Sequence, residues 1–264
     1  MVPTLTVSFR LSWSIERTNK RTYPSPFSSL ILIFACSWTQ EDEKRVLTEL
    51  GRQQAHRTGE RLAEMINSVD DKFGPCRVKV LRVSDLTRAK ETASIIASHL
   101  DGVERSSPDP LLNEGRPAHT IPGGKVSPST IERFDDNHPK IEEAFKKYFY
   151  RAPMPEEKET DEEEKSTDDN DDNDNSSKKK KKKNNPRDHH EFEIIVGHAN
   201  VIRYFLCRAL QIPPEAWLRL CIFNCSLTYI TIRSTGTVSC RMLGDIGHLP
   251  YNMSTFSMHH GFNW

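Results

Sequence analysis

Two short apolar runs, each followed directly by a helical pattern, constrain the fold of this chain most strongly. Residues 78–83 and 192–196 are rich in β-branched side chains, which favours buried strands. Strands that alternate with helices predict an α/β fold in which a mostly parallel sheet carries helices on both faces. Ligands of such sheets bind at the carboxyl ends of the strands, so residues 84–88 and 197–200 become candidate site segments.

Helical periodicity and turn residues predict the remaining elements. Helices are expected over 47–66, after a cap at Ser84 or Asp85, from Pro139 until near Pro153, and from His198 until Pro213. Residues 227–232 and 238–243 are expected to form a pair of strands around a turn at 234–236. The density of proline and glycine predicts a loop over 108–128.

The predicted domain organisation is a single domain with one insertion. Residues 156–190 contain almost no apolar side chains, so they cannot offset their ordering entropy and are expected to be a disordered, charged insertion. The domain is expected to span 30–250, after an unstructured leader over 1–29 and before a tail over 251–264. The leader is basic and rich in serine and threonine, which weakly resembles a mitochondrial presequence, although an unstructured leader explains it equally well.

Composition excludes several classes of protein. The chain has 37 basic and 37 acidic residues, and this balance argues against a general nucleic-acid binder. The longest apolar run, over 30–36, is shorter than the ~20 residues that span a bilayer, so no membrane anchor is visible. No cluster of histidine, cysteine or carboxylate side chains has metal-ligand spacing, which predicts a metal-independent site.

Three polar residues fall where an anion could bind. Arg88 lies in the first turn of a predicted helix and offers a planar, permanently charged fork for phosphate oxygens. His198 follows a strand and precedes a helix, where free backbone N–H groups also attract anions. Glu114 lies on a loop and could donate a proton if burial raised its pKa. Taken singly, each residue also fits a plainer role, as a surface arginine, a core histidine and a loop carboxylate.

Four segments together resemble one known family. They are LTELGRQQA over 47–55, SDLTRAKETA over 84–93, LLNEGRP over 111–117 and VGHANVIRYFLCRAL over 196–210. This combination is similar to the histidine phosphatase superfamily, which has the phosphoglycerate mutase-like three-layer fold, and especially to its mitochondrial serine/threonine-protein phosphatases. The resemblance implies mitochondrial residence, phosphorylated proteins as partners, and possible homo-oligomers.

The same resemblance implies a mechanism that needs no metal or cofactor. A histidine at the end of the first strand accepts the phosphoryl group, and water then releases it. Two histidines and two arginines form the pocket, and an acidic residue donates the proton. Matched to that pattern, Arg88 is the second arginine, His198 the second histidine and Glu114 the proton donor.

The first arginine and the nucleophilic histidine of that pattern have no counterpart here. Residues 30–33 are predicted to be the first strand, yet Phe34 and Ala35 follow where the resemblance requires Arg-His, and no histidine precedes His56. The family's membrane anchor is also not visible in residues 1–46. The chain as written is therefore expected to bind phosphate without turnover.

Three interpretations remain open at this point. The chain is an active phosphatase whose first segment has been replaced in this sequence, a pseudophosphatase that binds phosphorylated partners, or a small-molecule phosphatase or mutase on the same fold. The segment 198–220 most resembles the protein phosphatases, which argues against the third.

Overall fold

The computed structural model describes residues 27–34, 45–73, 76–120, 127–150, 190–233 and 235–256. Its strands are β1 (Phe27–Phe34), β2 (Cys76–Val83), β3 (His190–Gly197), β4 (Leu227–Arg233) and β5 (Val238–Asp245). Its α-helices are α1 (Glu49–Phe73), α2 (Thr87–Ala97), α3 (Pro128–Tyr148) and α4 (Ala199–Ala209). Short 3-10 helices occupy Pro110–Leu112, Pro214–Arg219 and Tyr251–Met253.

The five strands form one mixed sheet in the order β2-β3-β1-β4-β5. β3 is parallel to both β1 and β2, whereas β4 is antiparallel to both β1 and β5. The expected α/β class is confirmed, and so is the pairing of the last two strands. The sheet is less parallel than predicted, because the β4–β5 hairpin adds two antiparallel pairs to the two parallel ones.

The register brings three strand ends to one edge of the sheet. Phe34, the last residue of β1, is paired with Gly197, the last residue of β3. Val83, the last residue of β2, is paired with Val196. Since these strands are parallel, the residues that follow β2 and β3 emerge side by side, as the sequence predicts for a site.

Helices cover both faces of the sheet, as expected. Consecutive residues of a strand point to opposite faces, and in β3 Ile194 packs with one core cluster while Ile195 packs with the other. The first cluster contains Leu62 of α1 and Ala93 of α2. The second contains Phe205 of α4, together with residues of α3.

Two helices differ from their predicted bounds. α1 begins at Glu49 and continues to Phe73, beyond the predicted end at 66, because Val69 and Phe73 continue the helical spacing of Ile66 through a stretch whose other residues are polar and weaken the signal. α3 begins at Pro128 and ends at Tyr148, so the predicted start at Pro139 and end near Pro153 are wrong. Its first turns are mostly exposed, and apolar periodicity therefore misses them.

The predicted side-chain cap of α2 is also wrong. Leu86 occupies the N-cap position and makes no side-chain cap hydrogen bond. Ser84 instead accepts a hydrogen bond from the Leu86 backbone N–H. Its hydroxyl also hydrogen-bonds to His198 in the candidate site.

Element boundaries also differ at both ends of the predicted domain. β1 begins at Phe27, three residues inside the predicted leader. Part of the predicted tail packs onto the domain, since Gln54 of α1 donates to the Met253 carbonyl and to the Thr255 hydroxyl. The predicted insertion lies outside the described residues, apart from His190 at the start of β3. Among the described helices, none has the length and apolar character needed to cross a bilayer.

Candidate active site

Arg88 and His198 meet at the carboxyl edge of the sheet. His198 is the N-cap residue of α4 and is 0% exposed, and Arg88 in the first turn of α2 is 4% exposed. Nη2 of Arg88 lies 3.3 Å from Nδ1 of His198. Two residues that are 110 positions apart in the chain are thus in direct contact. The contact arises because His198 directly follows β3 and Arg88 lies at the start of the helix that follows β2, and these two strands are adjacent and parallel.

A short hydrogen-bond chain fixes the proton on His198. The Asp85 backbone N–H donates to Oδ1 of Asn113 at 2.9 Å, which identifies that atom as an acceptor. Oγ of Ser84 lies 2.8 Å from the same Oδ1, so the Ser84 hydroxyl must donate to it. With its proton used, Ser84 can only accept from Nε2 of His198, which lies 2.8 Å away. His198 therefore carries its proton on Nε2 and turns the lone pair of Nδ1 toward Arg88.

Electrostatics keep the His198 ring neutral. Burial, and secondly the positive charge of Arg88, hold the pKa of His198 well below its usual range. Arginine stays protonated at all relevant pH values, so the pair carries one net positive charge. That charge lies beside the amino-terminal turns of α2 and α4, where the helix dipole also favours an anion.

Glu114 is placed to exchange a proton near neutral pH. Burial of its carboxyl raises its pKa to about 7, against the opposing effects of the Gly115 and Asn200 backbone and the charges of Arg88 and Arg203. The Gly115 N–H donates to Oε1 of Glu114 at 3.0 Å. A carboxylic acid with a pKa close to 7 can be protonated in the resting site and still release its proton. Of the three predicted site residues, Arg88 thus contacts His198 directly and interacts with Glu114 through charge.

The structure adds two polar residues of α4 that the sequence reasoning missed. Arg203 donates from Nε to the Leu220 carbonyl at 2.8 Å and from Nη1 to Oδ1 of Asn200 at 3.2 Å. Burial lowers the pKa of Arg203, while the nearby Glu114 raises it. The sequence does contain a usable signal. Asn200 and Arg203 lie three positions apart, so they share one face of the first turns of α4.

Asn113 was missed for a different reason. It fixes the orientation of Ser84, yet it lies in a loop where no periodic pattern identifies it. Only the fold brings its side chain to the end of β2.

Among the described residues, two further histidines pair with each other on α1 and after α2. His56 is exposed and His99 is partly buried, and Nε2 of His99 lies 3.0 Å from Nδ1 of His56. The side chains of His189 and His190 lie outside the described residues. Within the described ranges, no group of three histidine, cysteine or carboxylate residues could hold a metal ion.

The edge of β1 matters because the resemblance places the nucleophile there. Phe34 ends β1 beside Gly197, one residue before His198 in the neighbouring strand. The expectation that 30–33 form the first strand is confirmed. Ala35, which stands at the position of the expected nucleophile, lies outside the described residues.

Relatives of known name match most of the chain. A mitochondrial serine/threonine-protein phosphatase Pgam5 from Caenorhabditis elegans is 41% identical over 230 residues, covering 87% of this chain and 66% of that protein. The mitochondrial serine/threonine-protein phosphatase PGAM5 from Homo sapiens is 38% identical over 217 residues, covering 82% of this chain and 61% of that protein. The chain therefore spans less than two-thirds of the length of either relative.

Solved structures agree on the fold. A structure of Bacillus stearothermophilus YhfR superposes with a TM-score of 0.50 at 18% identity, covering 84% of this chain and 98% of that one.

The sequence profile described as Histidine phosphatase superfamily (branch 1) matches residues 38–244, which confirms the family predicted from the four segments. With that match over most of its length, and with a histidine, an arginine and a carboxyl gathered at the expected edge of the sheet, the chain belongs to branch 1 of the histidine phosphatase superfamily.

Proposed function

We propose that the site binds the phosphate group of phosphoserine or phosphothreonine in proteins, and that the fold serves a mitochondrial serine/threonine-protein phosphatase. The observation that carries this proposal is the buried contact between Arg88 and His198 at the strand edge, with the Glu114 carboxyl beside it. The names of the relatives support a phosphoprotein substrate and mitochondrial residence.

The proposed chemistry assigns one role to each residue. Arg88 and the amino-terminal turns of α2 and α4 bind the phosphate oxygens and stabilise their charge. A histidine nitrogen at the end of β1, which this chain lacks, would attack phosphorus as the bond from phosphorus to the substrate oxygen breaks. Protonated Glu114 gives its proton to that departing oxygen, so the substrate leaves as a neutral hydroxyl. Water then attacks the phosphohistidine and releases inorganic phosphate.

The chain as printed supports binding better than turnover. Phe34 and Ala35 stand where the mechanism requires Arg-His, so the attacking nitrogen is missing at the end of β1. A phosphoprotein-binding pseudophosphatase is therefore the second candidate function. The groups proposed to bind phosphate, Arg88 and the two helix amino-termini, are present for either function.

Titration of inorganic phosphate or vanadate into the protein tests the binding half of the proposal. The unmodified chain should bind the anion, and Arg88→Ala should weaken binding at least tenfold because it removes a charge-assisted contact. Arg57→Ala is the matched control, since Arg57 is exposed and pairs with Glu60 on α1. Equal affinity in all three proteins would overturn the assignment of the site.

Paired substrates test the class of ligand. A phosphopeptide should bind more tightly than a phosphoglycerate, and the reverse order would favour the small-molecule alternative.

Unchanged phosphate binding after addition of a chelator would support a site that needs no metal.

A further inference from the structure

Arg116 carries a positive charge that the described residues do not neutralise. Its Nε is buried and has no hydrogen-bond partner there. No ion pair between Arg116 and a carboxylate is found within the described ranges. The charge that affects the pKa of Arg116 is that of another arginine, Arg133. Burial and the repulsion from Arg133 both lower the pKa of Arg116. The side chain is only partly buried, but its buried Nε–H has no acceptor, and an anionic ligand that accepted from the guanidinium group would relieve that cost.

The loop that carries Arg116 is held firmly against α3. A side chain at Gly115 would collide with Asn137, whose Oδ1 would lie 2.4 Å from the added Cβ. The His138 ring lies with Nδ1 2.6 Å from the Pro117 carbonyl oxygen. These close contacts fix the backbone on both sides of Arg116, so its position does not depend on a ligand.

The guanidinium group is oriented by an aromatic ring. Cζ of Arg116 lies 5.9 Å from the centroid of the Trp217 ring, which is 0% exposed. Trp217 is itself fixed, because its Nε1 donates to the His119 carbonyl at 3.1 Å. Contact with an aromatic face stabilises a cation but leaves its N–H groups available to carboxylate oxygens.

Arg116 also lies close to the phosphate pocket. It lies two positions after Glu114, with Gly115 between them, so the Cα atoms of Glu114 and Arg116 are at most ~7 Å apart. That distance corresponds to about two residues of an extended peptide, in which successive residues advance ~3.3 Å. The Glu114 carboxyl in turn interacts with the charge of Arg88, so a peptide with its phosphate at Arg88 could place a neighbouring side chain at Arg116.

We infer that Arg116, with Arg133 beside it, forms a second anion subsite that takes the carboxylate of an acidic residue one to three positions from the phosphorylated serine or threonine. This inference rests on the proposed function and extends it from phosphate recognition to the choice of peptide. The phosphate identifies the modified residue, and the subsite selects phosphoproteins with acidic flanks.

Fluorescence anisotropy with two labelled phosphopeptides tests the inference at one fixed ionic strength. The peptides share one sequence around a phosphoserine, with glutamate at the three positions on each side in one and glutamine at those positions in the other. The unmodified protein should bind the glutamate peptide about tenfold more tightly, as expected for one charge-assisted contact. Arg116→Gln should abolish that preference, and Arg116→Lys should retain part of it.

Two controls separate the subsite from the phosphate pocket and from overall charge. Arg116→Gln should leave the affinity for inorganic phosphate unchanged, which a folding defect would not. Arg57→Gln removes the same charge from α1 and should keep the peptide preference.

Three results would overturn the inference. In the first, the unmodified protein binds both phosphopeptides equally, and the proposed function then stands without the subsite. In the second, Arg116→Gln weakens both peptides and inorganic phosphate alike, which would make Arg116 part of the phosphate pocket. In the third, the protein binds inorganic phosphate but neither peptide, and the proposed protein substrate fails as well.

Discussion

Nδ1 of His198 faces Nη2 of Arg88 at 3.3 Å, and both side chains are almost fully withdrawn from solvent. Each residue is supplied by a separate strand-to-helix junction, so the contact depends on the parallel pairing of β2 with β3. The arrangement keeps one net positive charge at a buried edge where two helices begin.

His198 should be neutral and protonated on Nε2 even at pH 6.5, the ordinary pKa of a histidine side chain. Burial and Arg88 lower its pKa, and the Ser84 hydroxyl can only accept from Nε2. Nitrogen-15 NMR of the ring distinguishes the two tautomers and the imidazolium. A substantial imidazolium signal at pH 6.5, or a proton on Nδ1 of the neutral ring, would contradict this account.

Ser84→Ala should lower the free energy of unfolding by about 2 kcal/mol, because it leaves the buried Nε2–H of His198 without an acceptor. Urea unfolding measures the loss. Ser94→Ala on the exposed face of α2 is the control and should change the free energy by less than about 0.5 kcal/mol. Equal effects of the two substitutions would mean that the Ser84 contact contributes nothing.

Glu114→Gln should reduce the dependence of stability on pH. The folded-state pKa of Glu114, about 7, is raised above its ordinary 4.5, so its protonated form stabilises the fold below pH 4.5 and this stabilisation is lost as pH rises through 7. The difference between the free energies of unfolding at pH 5 and at pH 8 should therefore be ~2 kcal/mol smaller in the variant than in the parent. A larger difference in the variant would mean that Glu114 is ionised in the folded protein.

Pro139→Ala should stabilise the protein by roughly 1 kcal/mol or more. Pro139 lies inside α3, where it lacks the N–H that a helix residue gives to the carbonyl four positions earlier. Thermal unfolding detects the change. Pro128→Ala is the comparison, since a proline in the first helical turn sacrifices no helical hydrogen bond and its replacement should have little effect. If only Pro128→Ala stabilised the protein, the assigned start of α3 would be wrong.

The strands and the two strand-to-helix junctions could be predicted because their signal is local. The β-branched residues of β2 and β3 stop where the polar Ser84 and His198 begin, and that boundary located the site. The helix limits were harder to predict. α3 was misjudged because a proline in the middle of its sequence resembles a helix start, while the true start at Pro128 precedes an exposed, polar stretch.

The details of the site could be predicted only in part. Arg88, His198 and Glu114 were found from their positions and from a family resemblance. The role of Asn113 depends on a contact between its loop and the end of β2, and Arg116 is notable only because no acid lies beside it among the described residues. Both features are properties of the folded chain, which no short sequence pattern records.

Turnover of a phosphopeptide tests the central claim that a phosphate pocket is present without its nucleophile. The unmodified chain should show only background rates, since loss of a nucleophile commonly costs ~10⁴ to 10⁶ in rate. Phe34→Arg with Ala35→His should restore measurable hydrolysis, and adding Arg88→Ala to that pair should remove it again. Hydrolysis by the unmodified chain at ordinary enzymatic rates, unchanged by His198→Ala, would contradict the account and require a different nucleophile.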